Sequence, residues 1–69
     1  MIAIDQALLL ELDAHPLATA EDLQRRLQGL APLAAIVRWL RAHEDWLVVH
    51  EAAGWRLSAQ GEGFLAALD

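Results

Sequence analysis

The sequence predicts a mainly α-helical domain with one small β-hairpin, in the order helix, helix, helix, strand, strand, helix. Three observations carry this reading. Apolar residues recur at three- and four-residue spacing in separate stretches along the chain. Pro16, Gly29 and Pro32 punctuate those stretches. Two β-prone segments, Leu47-Val48-Val49-His50 and Trp55-Arg56-Leu57, flank a short turn, Ala52-Ala53-Gly54.

With 69 residues there is room for one domain, spanning 1–69. A chain this short buries only about 60% of the surface its unfolded form exposes, so its core must be dense in large side chains. Hydrophobic residues make up 57% of the chain, above the usual ~45–50%, which supplies that core.

The first helix is expected from Ile4 to Ala14, where Ile4, Leu8 and Leu12 form one apolar stripe. His15-Pro16 stops it, because the residue before a proline is pushed out of the helical region. Leu10 lies opposite the stripe and Leu9 at its margin. Leu17, between Pro16 and Thr19, suits a short extended segment.

The second helix is expected from Ala20 to Gln28. Thr19 is a good N-cap, Asp22 sits at the reciprocal capping position, and Glu21 adds negative charge at the positive end of the helix dipole. Leu23 and Leu27 face inward, and Gly29 suits a left-handed C-cap.

After the Gly29-Leu30 turn, Ala31 is a poor N-cap and Pro32 occupies a favoured first helical position. Leu33, Ile36, Val37 and Leu40 then follow the spacing of an inward-facing helical stripe. This third helix should close near His43 to Asp45. Its opposite face carries Ala34, Ala35, Arg38, Arg41 and Ala42, with Trp39 on the flank. Trp46 is expected to cap the core below this helix, and Trp55 to pack on the hairpin. Ser58 can cap a last helix holding Phe64, Leu65 and Leu68. Gly61 and Gly63 each cost that helix roughly 1 kcal/mol relative to Ala, so it needs tertiary packing to persist.

The charge is polarised. All five basic residues are Arg, there are ten acids, and the formal net charge is −5. Between Leu23 and His43 stand four Arg and no acid, a local charge of +4, leaving −9 for the rest of the chain. Such a balance argues against a generic polyanion binder. The absence of Cys excludes disulfides and thiolate metal sites.

One Ser, one Thr and no Tyr or Lys leave few nucleophiles. His15, His43 and His50 lack metal-ligand spacing, and Gly61-x-Gly63 lacks the strand-and-turn context of a phosphate loop. Neither an enzyme, a cofactor nor a metal site is expected. No apolar run approaches the ~20 residues of a membrane span, and no basic leader opens the chain. A cytoplasmic location without membrane contact is the expectation.

The segment "TAEDLQRRLQGLAPLAAIVRWLRAHEDWLVV" resembles the second helix, turn, third helix and wing approach of the winged helix-turn-helix family. The segment "GWRLSAQGEGFLAAL" is similar to that family's returning strand and following "T/S-x-x-G-x-x-x-L". The resemblance covers nearly the whole chain and rests on apolar spacings and two glycines. It implies a DNA-binding, transcription-regulator-like module whose third helix enters the major groove while the wing touches the backbone or minor groove. By position, the groove-facing residues would be Ala31, Ala34, Ala35, Arg38 and Arg41. Arg56 and its neighbour His50 would be the wing contribution. Homodimerisation is common in the family, and Leu9, Leu10, Ala66 and Ala67 are the residues it would use here.

Three features weigh towards a protein partner instead. The start of the third helix offers Ala31, Pro32, Ala34 and Ala35 where base readers carry polar groups. The wing tip reads Glu51-Ala52-Ala53-Gly54, and Glu44-Asp45 closes the third helix with negative charge. With so few cations, DNA binding would be weak to moderate and salt-sensitive. An adaptor or inhibitor docking through Ala34, Ala35, Arg38 and Trp39 is the alternative, since interface centres are enriched in Trp and Arg.

Overall fold

A computed structural model describes residues 4–67. The order is α1 (Ile4–Ala14), α2 (Ala20–Leu27), α3 (Leu33–Ala42), β1 (Val48–Glu51), β2 (Gly54–Leu57) and α4 (Ala59–Ala67). This is the winged-helix layout, mainly helical with one antiparallel hairpin.

The helix boundaries follow their caps. At α2 the Thr19 hydroxyl accepts from the Asp22 amide at 3.1 Å, and the Asp22 carboxylate accepts from the Thr19 amide at 3.3 Å. Both halves of the capping box are therefore made. The helix ends one residue earlier than expected, at Leu27, because Gln28 itself turns left-handed (φ 38°) and Gly29 follows it there (φ 80°). Pro32 is the N-cap of α3 rather than its first helical residue, its extended ψ of 157° holding it outside the helix. The helix closes at Ala42, earlier than expected, with His43 as C-cap.

The hairpin pairs Val48 with Leu57, Val49 with Arg56, His50 with Trp55 and Glu51 with Gly54. Only Ala52 and Ala53 remain in the turn: β1 is shifted one residue towards it from the expected range, and β2 gains Gly54. Ala18, not Leu17 as expected, is the extended residue before Thr19. Its carbonyl accepts from the Trp55 amide at 2.8 Å, which adds a one-residue third strand to β2. Leu17 is not extended but left-handed (φ 66°).

Leu8, Leu9 and Leu12 of α1, Leu23 of α2, Ile36 and Leu40 of α3, and Val48 of β1 are the fully buried side chains of the core. Leu9 is thus central rather than marginal, and Leu10, 48% exposed, stays outside. Four aromatic positions differ from expectation or sharpen it. Trp39, only 8% exposed, lies in the core rather than on the flank, and Val37 is turned out. The face of α3 is therefore rotated by roughly 60° from the expected one. An indole buries far more apolar area than a valine, and its N–H finds the Asp5 carboxylate of α1 at 3.1 Å.

Trp55 joins the core, while Trp46 lies outside it, stacked on His43 at 5.4 Å. Phe64 is exposed, and α4 packs through Gly61 and Leu65. A Cβ on Gly61 would stand 2.0 Å from the Leu47 carbonyl oxygen, so the glycine that weakens the helix is what lets it dock. The expected contribution of Leu68 lies outside the described residues. Among the described residues no helix is long and apolar enough to cross a membrane.

Candidate functional site

Opposite its buried residues, α3 presents one continuous outward stripe. Ala34, Arg38 and Arg41 stand along its centre at the four- and three-residue steps that align side chains on a helix, and all three are exposed. Val37, 37% exposed, borders the stripe on the side facing the wing. No acid stands on this stripe. Of the other expected groove residues, Ala35 is half-buried on the far flank and Ala31 is half-buried against the core. Trp39 is withdrawn from any docking surface by its burial and its bond to Asp5.

The two Arg of the stripe differ in their surroundings. Among the described residues Arg38 has no ion pair. Arg41 faces Glu44 at 3.5 Å and holds its guanidinium carbon 5.6 Å from the centre of the Trp55 ring. That geometry places it within cation–π range. Trp55 is also stacked on His50, whose ring lies 4.2 Å away and nearly parallel, with 11° between planes. Arg41 thus ties α3 to the wing through an aromatic side chain that also belongs to the core.

A cleft of about 260 Å³ runs between α3, the start of α2 and the wing, walled by Val37, Arg41, Glu21, His50 and Trp55. On the wing, the register puts His50 and Trp55 on the face that includes Val48 and Leu57, and Arg56 on the other. His50 and Arg56, expected to form one wing contribution, therefore stand on opposite faces of the hairpin. Arg56 is instead paired with Glu51, which shares its face, and donates to the Leu57 carbonyl at 3.2 Å.

Arg25 is paired with Asp22 at the start of α2. The Asp22 carboxyl is held below its ordinary pKa, first by the hydrogen bond from the Thr19 amide and then by that from the Thr19 hydroxyl. His43 lies between Trp39 and Trp46, and its Nδ1 donates to the Trp39 carbonyl at 2.7 Å. His43 and His50 thus belong to separate stacks. No group of three or more His, Asp or Glu gathers for a metal ion among the described residues.

Comparison of the chain with protein-family models, with curated proteins and with solved structures finds no match.

Val37, expected to face inward, and Leu30 are surface residues that join the stripe. Val37 stands at the three- and four-residue steps from Ala34 and Arg41, the spacing that marked the stripe. Leu30, in the turn before α3, is 44% exposed.

Proposed function

We propose that this chain is a winged-helix DNA-binding module that lays the outward stripe of α3 in the major groove. The observation that supports it is the stripe itself: Ala34, Arg38 and Arg41 exposed in line, with no acid among them. Small residues at the start of such a helix let its backbone approach base edges closely, and Arg supplies charge-assisted contacts to guanine or phosphate. The Arg41–Glu44 pair is exposed, with 59% of the Arg41 side chain in solvent. Pairs of this kind contribute only ~0.2–1 kcal/mol, so a phosphate can replace the carboxylate. On this reading the module works in the cytoplasm, and a dimer would form through Leu10 and the exposed Ala66 and Ala67, without the buried Leu9.

The test is a titration of labelled protein with mixed-sequence duplex DNA at low salt, followed by amide chemical shifts. Perturbation of Ala34–Arg41, together with an affinity that falls with salt with a log–log slope of roughly −2 for the two Arg, is the expected outcome. Unmoved shifts across α3 would refute the reading.

A second reading, a protein-docking module, is favoured by the neutralised cations. Arg25, Arg41 and Arg56 each face an acid, and Glu21 lines the cleft beside α3. Its surface would be Ala34, Val37 and Arg38, with Trp39 no longer part of it. Such a mainly apolar interface would persist at salt concentrations that dissolve the DNA complex.

A further inference from the structure

The approach to α3 and its first turn expose only apolar side chains. Leu30, Pro32 and Ala34 are exposed, and Val37 follows on the wing side. None of these side chains can donate or accept a hydrogen bond. Helices that read the major groove do so through their N-terminal residues, and one base feature there is recognised by apolar contact, the thymine C5-methyl group. Arg38 stands one turn beyond Ala34 and has no ion pair among the described residues. Its fork therefore suits the paired acceptors of guanine. Arg41, held towards the wing by Glu44 and Trp55, suits a phosphate instead.

From this arrangement we propose that α3 selects DNA by thymine methyl groups, received by Ala34 and Val37, beside one guanine read by Arg38. The inference rests on the DNA-binding reading and names what that binding prefers. The two Arg supply the complementary charge that makes DNA the occupant of this apolar face. Base discrimination then comes from two unlike contacts on adjacent turns: a methyl packed on carbon, and a bidentate hydrogen bond.

The experiment enriches the tightest-binding duplexes from a randomised pool and resynthesises them with uracil in place of thymine, which removes only the methyl groups. Affinity is expected to fall about fourfold for each contacted methyl lost, from the value of one buried carbon group. Val37→Ala, outside the core, should narrow the thymine-over-uracil ratio while leaving the salt slope unchanged. Arg38→Ala should leave that ratio intact and relax the preference at the guanine.

Equal binding of thymine and uracil duplexes, with binding still lost in Arg38→Ala/Arg41→Ala, would overturn the methyl readout and leave the DNA-binding reading standing. A pool that is retained without enrichment would likewise overturn only the methyl readout, and a pool of which no duplex is retained at low salt would overturn both. Circular dichroism of each variant separates loss of contact from loss of fold.

Discussion

The outer face of α3 and the wing carry the same kind of residue and handle it differently. On α3, Arg38 makes no ion pair among the described residues, and Arg41 faces an acid at 3.5 Å. On the wing, Arg56 is matched by Glu51 on the same face of the hairpin, and the tip between them is two alanines. The lesson is that a count of cations overstates the charge available to a partner. Register and helical spacing decide which of them remain unspent, and here they leave that charge on α3 rather than on the wing.

The strongest way to break this comparison is to remove the wing. Gly54 has φ 151°, and a Cβ there would lie 2.3 Å from the Leu17 carbonyl oxygen, which is backbone and cannot swing aside. Gly54→Ala should therefore cost about 3 kcal/mol, read as a fall in the midpoint of urea unfolding. A midpoint within error of the parent would show that the wing yields more easily than its packing implies.

Next in size is the exchange of charges between the two regions. Arg38→Ala/Arg41→Ala should weaken DNA binding by about tenfold or more, whereas Arg56→Ala should change it by about threefold or less. Fluorescence anisotropy at fixed low salt makes the comparison. The reverse order would transfer the interface to the wing.

A smaller effect sharpens the inner face of α3. Trp39→Phe keeps the aromatic body and removes the N–H that meets Asp5, so a loss of about 1 kcal/mol is expected. Asp5→Asn, which retains an acceptor, should cost less. Similar losses in the two variants would assign the effect to charge instead.

The smallest effect lies at the start of α2. The Asp22 carboxyl ionises below its ordinary value in the folded chain. Its stabilisation is therefore complete at neutral pH and is lost as pH falls below about 4 and through the lowered value. Asp22→Asn cannot ionise, so its melting temperature should decline less steeply over that range. Parallel curves would remove Asp22 from the acid limb of stability.

Much of this architecture is legible in the residues. Thr19 and Asp22 announce the start of α2, His15-Pro16 the end of α1, and the separation of two β-prone segments the hairpin. The rotation of α3 is not legible, because Val37 and Trp39 both fit an amphipathic pattern. The larger area the indole buries and the Asp5 acceptor on another helix decide between them. Leu9 and Phe64 fail for the same reason, since burial depends on what packs opposite, as does Trp46. The Arg41–Glu44 pair is visible as a three-residue step, whereas Arg56–Glu51 requires the strand register. Gly61 looks like a defect in its helix until the Leu47 carbonyl appears against it.

The bridge from Ala18 to Trp55 has a consequence for association. A wing attached only at its base would sway in solution and surrender that freedom on docking, a cost of about 0.5–1.5 kcal/mol for each side chain immobilised. In this chain β2 is held on one side by β1 and on the other by the Ala18 carbonyl, while Gly54 lies against Leu17. The segment that joins α1 to α2 thereby splints the hairpin before any partner arrives. The entropy of ordering the wing is met during folding, so a modest set of contacts across α3 can be expressed more fully as affinity.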